Sequence, residues 1–341
     1  MKQRLLFAVA FGLLLALPGL WAQKAEAVYT SGRVDLKKAG GKLSSLEIGT
    51  RLAVGDSVLT SKDGRAELKL LPGGASLKVR PSSVLLIGEK NFSGQSQTAL
   101  QVLAGSVSMK FEKLVEKEPL VGTGACVAAI RGTEVEVYAA MDGSTLLAVI
   151  SGAVSLESGG VSVDLAADEA VEVRPGQAPG PKFAWLGREK DFSAWNRGRL
   201  EAFLADPLSA ALEVEAQLAD YRASLKGLLA DLAAQTALYD TAMGELKSAL
   251  EAKDEGRVAT LRKEKVFPLT LARATIFLNV RFYALSALSL RRFALGDMYL
   301  ELKSRHPLDL AAAYAPYLEA HRRILADFET TFVPQLVEAD I

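Results

Sequence analysis

The chain has 341 residues, half of them apolar, so it is long enough for two domains that each bury a core. Its 40 Lys and Arg residues balance its 40 Asp and Glu residues, which gives a formal net charge of zero. A chain without an overall positive field does not attract polyanions, so the composition predicts no nucleic-acid partner. Cys126 is the single cysteine, which excludes an intrachain disulfide framework.

Residues 1–27 have the pattern of a signal peptide. Residues 1–4 are basic, residues 5–17 form an apolar run, and Ala25, Glu26 and Ala27 offer a small-x-small cleavage site. Cleavage after Ala22 competes with cleavage after Ala27, and retention of the apolar run as an anchor is the third possibility. The pattern predicts export to the periplasm and no membrane span after signal cleavage.

Residues 28–174 alternate short apolar and polar runs with turns rich in Gly, Asp, Ser and Pro. Period-two alternation predicts half-buried strands, and no helical period separates them, so we expect an all-β unit. Residues 32–36, 105–109 and 152–156 share one pattern, a glycine followed by an alternating strand. Repeated strand-turn units that cannot bury their own apolar face favour a solenoid-like or sandwich stack of short strands.

One stretch of this half, residues 127–138, changes character at Arg131 and Gly132. An apolar lead-in precedes them, and Val then alternates with Glu along the following residues. The pattern predicts a tight backbone feature followed by a half-buried strand. In the structural interpretation, Arg131 binds buried carbonyls or a carboxylate, and Gly132 adopts a conformation that a side chain would forbid. In the other interpretation, Arg131 faces a ligand carboxylate or phosphate. We prefer the first, because five donors suit Arg to irregular backbone.

Residues 28–174 resemble the FecR domain family. The resemblance rests on Arg131, Gly132 and Thr133 with their apolar lead-in and alternating strand, and on the ordered pieces at residues 55–60, 64–68, 72–77 and 152–156. The best-known members of that family relay an outer-membrane transport signal through the inner membrane to a sigma factor. That role needs a cytoplasmic anti-sigma segment before a membrane span. Only four residues precede the apolar run, so we do not expect sigma regulation.

The sequence lacks the usual catalytic signatures. It contains no Gly-x-Ser-x-Gly nucleophile elbow and no phosphate-binding loop. Residues 28–174 contain no histidine, and His306 and His321 lie too far apart in sequence for metal-ligand spacing. We therefore predict no catalytic residue, no metal ligand and no cofactor, and we expect a protein that is not an enzyme.

A Pro/Gly-rich linker at residues 176–190 ends the β-rich half, and the period then changes from two to about 3.6 residues. We expect helices near residues 192–205, 207–252 and 257–304, the last interrupted at Pro268, and a final helix from Pro307 to about residue 332. Apolar residues recur every seven positions in the second helix, which is typical of a coiled-coil stripe. The pattern of residues 191–341 therefore predicts an all-α antiparallel helical bundle or long helical hairpin. Because few buried contacts should cross such a linker, we expect two separately stable domains.

The predicted organisation is a signal peptide at residues 1–27, a FecR-like β domain at 28–175, a linker at 176–190 and a helical bundle domain at 191–341. The favoured function is a non-enzymatic periplasmic binding or scaffold protein that holds a protein partner in the cell envelope. The alternative is a cell-envelope carbohydrate- or peptidoglycan-binding module. Only Tyr29, Phe92, Phe111 and Tyr138 are aromatic in the β-rich half, which counts against a sugar-stacking surface. A hydrolase with an unrecognised site is the third possibility.

Overall fold

The computed structural model describes residues 23–39, 41–71, 75–92, 95–111, 119–185 and 192–338. The side chains of residues 90–92, 95, 96, 131 and 336–338 lie outside that description. The predicted signal peptide up to residue 22, the family-like piece at residues 72–74 and the end of the linker at residues 186–190 also lie outside the described residues.

A strand-rich half precedes a helical half, as the change of sequence period predicts. The described strands, in chain order, are β1 Ala25–Ser31, β2 Val34–Lys37, β3 Leu43–Ser45, β4 Arg51–Leu52, β5 Ser57–Thr60, β6 Arg65–Leu70, β7 Ser76–Val79, β8 Val84–Phe92, β9 Gln95–Lys110, β10 Leu120–Gly122, β11 Val127–Ala139, β12 Thr145–Ser158, β13 Val161–Ala166, β14 Glu169–Val173 and β15 Phe183–Ala184.

Hydrogen bonds join these strands into one connected sheet, whose main path runs β15-β14-β12-β11-β10-β9-β7-β6-β1-β4. β9 and β10 are parallel, and the pairs β6–β7, β7–β9, β9–β11 and β11–β12 are antiparallel. The period-two pattern decides which side chains enter the core. Leu68, Leu77, Met109, Val135 and Val149 lie opposite one another on five successive strands and are fully buried. Whether the sheet is a solenoid-like or a sandwich stack stays a prediction.

The helical half begins with two helices close to the predicted positions. The described helices are α1 Phe192–Ala205, α2 Pro207–Glu251, α3 Glu255–Leu261, α4 Phe267–Ser289, α5 Met298–Arg305, α6 Leu310–Ala313, α7 Ala315–Asp327 and α8 Val333–Glu338. Three π-helical turns connect some of them, at Arg262–Val266, Leu290–Asp297 and Phe328–Phe332.

Local sequence explains where the long helix α2 begins. The side chain of Asp206 accepts a hydrogen bond from the backbone N–H of Ser209 at 3.0 Å, and Pro207 occupies the first turn. Of the heptad stripe, Leu218 and Leu225 are buried against the other helices. The coiled-coil description itself stays a prediction.

The last part of the chain differs from the sequence expectation of one helix starting at Pro307. Helix α6 begins only at Leu310, and the chain leaves helical conformation at Tyr314, whose φ is −131° and ψ 33°. Pro316 has no backbone N–H and restricts the residue before it, so the helix restarts as α7. Among the described residues, no helix combines the length and apolar character needed to cross a membrane.

Buried contacts join the two halves, in contrast to the expectation that few would cross. The Nε2 of Gln101 on β9 donates to the carbonyl of Phe282 at 3.1 Å and to the hydroxyl of Ser286 at 2.9 Å, both on α4. The hydroxyl of Tyr221 on α2 donates to the carbonyl of Gly124 at 3.1 Å. The Pro and Gly content of a linker determines which local backbone conformations it can adopt. It does not determine whether the sheet before it packs against the helices after it. The division into separately stable domains therefore stays a prediction.

An aromatic cluster covers the junction between the sheet and the helical half. Trp185 is buried beside Tyr138, and Phe192 stacks on Tyr138 with ring centroids 5.2 Å apart. Trp195 on α1 donates its Nε1–H to Glu172 on β14 at 3.1 Å. These contacts fix the start of the helical half on the sheet.

Candidate functional site

The Arg131-Gly132-Thr133 motif forms a β-bulge in strand β11. Arg131 pairs with Ala153 and Glu134 with Ser151 on β12, so two residues of β11 lie opposite one residue of β12. Gly132 has a φ of +55°, a left-handed conformation that costs a side chain about 1–2 kcal/mol. The tight feature that the sequence indicates here is therefore this bulge.

Thr133 is buried at the bulge and donates its hydroxyl hydrogen bond to the carbonyl of Ala153 at 3.0 Å. Its own carbonyl accepts a hydrogen bond from the backbone N–H of Phe111 at 2.9 Å. Thr133 thus links β11 to both neighbouring segments. The side chain of Arg131 lies outside the described residues, so its structural and ligand-facing interpretations both stay predictions.

The strand that follows the motif reaches a charged groove on the outer face of the sheet. In register across β1, β6, β7, β9 and β11 lie Tyr29, Glu67, Lys78, Ser108 and Glu136. The groove has a volume of about 480 Å³, and the side chains that give it its chemistry are Tyr29, Arg65, Glu67, Lys78, Arg80 and Ser108. We call this surface the sheet groove.

Arg80 forms one wall of the sheet groove and is held by neighbouring polar groups. Its Nη2 donates to Glu136 and, at 3.0 Å, to the hydroxyl of Ser108. Its guanidinium carbon lies 5.9 Å from the centroid of the Tyr138 ring. Burial raises the pKa of Tyr138, and the nearby Glu136 raises it further, so the phenol stays protonated and donates to Glu136. Arg80 is therefore fixed before any ligand arrives.

Arg65 lies at the other side of the sheet groove with its charge uncompensated. Among the described residues it has no ion-pair or hydrogen-bond partner. Arg80 lines the same groove, so two guanidinium groups of like charge share it. Among the described residues, Glu67 is the one carboxylate that lines the groove. Its Oε1 lies 3.8 Å from Nζ of Lys78, and both side chains are well exposed. The groove thus carries excess positive charge.

The two histidines and the single cysteine are not among the residues that line the sheet groove. His321 is buried and lies 3.0 Å from the carbonyl of Leu295 in the helical half, while His306 contacts Tyr314. Cys126 is buried, and burial raises the pKa of its thiol to about 11. In the described part of the chain, no group of three or more His, Cys, Asp or Glu side chains is arranged to hold a metal ion.

Sequence reasoning missed the groove residues Arg65, Lys78 and Arg80. Because side chains alternate along a strand, the sequence already indicated that alternate residues of β6 and of β7 share one face of the sheet. That alternation was the signal that could have found them. The sequence pattern could not reveal that β1, β6, β7 and β9 lie side by side, so these charges were not grouped.

The decisive comparison is with known families. Residues 56–155 match the family model described as FecR protein. This confirms the resemblance, over a shorter range than residues 28–174. The FecR-matching region contains the bulge motif, Lys78, Arg80 and Glu136, while Tyr29 on β1 and all of the helical half lie outside it.

Solved structures show weaker likeness. Two crystal structures of a putative anti-sigma factor from Parabacteroides distasonis are each 14% identical, cover 42% of this chain, and give TM-scores of 0.33 and 0.32. The match covers 64% and 65% of those chains, so the chain spans less than two thirds of their length. A structure described as a cell surface anchoring domain is 19% identical, with a TM-score of 0.18 over 19% of this chain and 83% of that one. No curated protein gives a significant match.

Proposed function

We propose that this protein is a non-enzymatic binding or scaffold protein of the periplasm, which holds a protein partner in the cell envelope through its β-rich half. The FecR match supports a regulatory or signalling role of this kind. The observation that carries the proposal is the sheet groove, a concave surface built on four paired strands with one wall fixed by the contacts of Arg80. A preformed concave surface with a few fixed polar groups is what a binding site requires.

The proposed location implies an exported, processed chain. Ala25 and Ala27 are fully buried in β1, where they pair with Leu70 and Leu68. Cleavage after Ala27 would remove the first half of β1 from the sheet, whereas cleavage after Ala22 keeps it. We therefore propose that the mature chain begins at residue 23.

The proposed organisation keeps a β domain up to residue 175, a linker at residues 176–190 and a helical domain after it. The helical domain packs on the sheet through Gln101 and Tyr221, and its own role in this proposal is to support the β domain. We propose no cofactor and no membrane span in the mature chain.

The second candidate is a cell-envelope carbohydrate- or peptidoglycan-binding module. The observation in its favour is Tyr29, whose ring lines the sheet groove and is 47% exposed. Aromatic rings of this kind stack on sugars, but a groove with one such ring offers little stacking surface. We therefore rank this candidate second.

A site-specific photocrosslinking experiment in intact cells tests the proposal. A photoreactive residue replaces Ser31, which pairs with Arg65 at the edge of the sheet groove, and a control replaces Lys247, which is exposed on α2. We expect a protein adduct of defined mass from position 31 and none from position 247. Saturable binding of purified glycan strands, with no protein adduct from position 31, would support the carbohydrate candidate and contradict the proposal.

A further inference from the structure

The charges of the sheet groove indicate the chemistry of its ligand. Three cations, Arg65, Lys78 and Arg80, meet two carboxylates, Glu67 and Glu136. Glu136 already neutralises Arg80, because the two side chains form an ion pair. The Glu136 side chain is 16% exposed and the Arg80 side chain is 32% exposed. Glu67 is the remaining carboxylate for Lys78 and Arg65. Among the described residues, the groove therefore lacks at least one negative charge, which a ligand can supply.

We propose that the sheet groove binds an acidic peptide segment of the partner in extended conformation, with Arg65 and Lys78 each binding one carboxylate. This inference rests on the proposed function and adds the ligand class to it. A planar guanidinium with five donors suits a carboxylate, and Arg65 uses none of its donors within the described residues. Binding would also relieve the repulsion between Arg65 and Arg80.

The spacing of the two cations matches an extended peptide. Glu67 lies opposite Lys78, and Arg65 is two residues from Glu67 on the same strand and the same face. Arg65 and Lys78 are therefore diagonal neighbours on adjacent strands, which are typically ~7–8 Å apart. Alternate side chains of an extended peptide are about 6.6–6.8 Å apart. A Glu-x-Glu segment thus brings one carboxylate to each cation.

The groove favours a peptide over a glycan carboxylate. Among the described residues that line the groove, Tyr29 is the one aromatic residue, so a sugar ring would find a single stacking surface there. The intervening side chain of a Glu-x-Glu segment points away from the sheet, so the groove places no demand on it. The muramic-acid carboxylate of peptidoglycan is the competing source of the same charge, and the test below includes it.

Fluorescence anisotropy with the mature chain, residues 23–341, tests this inference. The probe is a labelled, end-blocked Ala-Glu-Ala-Glu-Ala peptide, and the control peptide has Gln in place of both Glu residues. We expect the acidic peptide to bind at least about tenfold more tightly, as expected for one or more charge-assisted hydrogen bonds. Added NaCl should weaken the binding, because the site is open to solvent.

Two matched substitutions test whether the peptide binds in the sheet groove or is attracted by positive charge on the surface in general. Arg65→Gln should weaken binding of the acidic peptide about tenfold. Lys69→Gln is the control, because Lys69 is exposed on the same strand but does not line the groove, and it should change the affinity less than about twofold. Thermal melts of both variants verify that each is folded. Equal affinities for the two peptides, or equal effects of the two substitutions, would overturn the inference.

Two further outcomes are decisive. Binding of soluble muramic-acid disaccharides without binding of the acidic peptide would overturn the peptide assignment. If the crosslink from position 31 persists in Arg65→Gln and the acidic peptide does not bind, the groove chemistry is wrong while the proposed function stands. If no protein adduct forms with the unsubstituted groove, the proposed function itself fails, whatever the peptides do.

Discussion

Phe282 is the residue that best tests how the helical half is attached to the sheet. Its side chain on α4 is 3% exposed and packs with Ala99 and Leu120 of the sheet. Gly122 makes room for it, since a Cβ at that position would lie 2.7 Å from Cζ of the Phe282 ring. The ring also packs edge-on against Tyr283, with centroids 5.5 Å apart.

Replacing Phe282 with Ala should therefore cost about 3–5 kcal/mol of stability, the usual range when a buried aromatic side chain is removed. The loss combines the transfer energy of the ring with the cavity left between helix and sheet. Phe267→Ala is the matched control, because Phe267 lies on the same helix and is 68% exposed. We expect this control to change stability by less than about 0.5 kcal/mol.

The assay is urea unfolding of the mature chain, followed by two signals. Far-UV circular dichroism at the helical minimum reports mainly the helical half, and tryptophan fluorescence reports the junction through Trp185 and Trp195. Both transitions should move to lower urea in Phe282→Ala, because the lost contacts join the two halves. Equal effects of Phe282→Ala and Phe267→Ala would refute the packing argument. A shift of the helical signal alone would instead support separately stable domains.

Four further predictions concern the bulge, a buried histidine and processing. Arg131→Ala should destabilise the β-rich half by a few kcal/mol if its donors serve buried partners; an unchanged thermal melt with lost partner binding would favour the ligand-facing interpretation. Thr133→Val should cost about 1 kcal/mol through the lost hydrogen bond to Ala153, with Thr133→Ser as the control that keeps it. Burial lowers the pKa of His321 below 6.5, so the stability from burying the neutral ring is fully present above pH 6.5 and is lost as pH falls through the folded-state pKa. The urea midpoint should fall more between pH 7.5 and pH 5 in the unsubstituted protein than in His321→Gln, and parallel pH profiles would contradict this assignment. Intact mass of the periplasmic fraction should give a chain that begins at Gln23, and a start at residue 28 would show that β1 tolerates the loss of its first residues.

Local signals in the sequence determined the order of strand-rich and helical halves and much of their internal structure. Alternation in residues 57–60 and 66–70 predicted β5 and β6, since the side-chain period of a strand is set by its own backbone. Asp206 and Pro207 predicted the start of the long helix, since an N-cap side chain and a first-turn proline act on the backbone beside them. Gly132 likewise indicated a strained backbone position, which is the bulge.

Only the tertiary structure decided which of these elements meet. The apolar stripe of α4 was visible in the sequence, yet nothing in its period tells that Phe282 faces the sheet beside Gly122 while Phe267 does not. Arg65 and Arg80 are well separated in sequence, and only the pairing of β6 with β7 brings both to the lining of one groove. Periodicity is a property of one segment, whereas pairing and packing depend on the free energy of the whole chain. The candidate site could therefore be assembled only from the folded molecule.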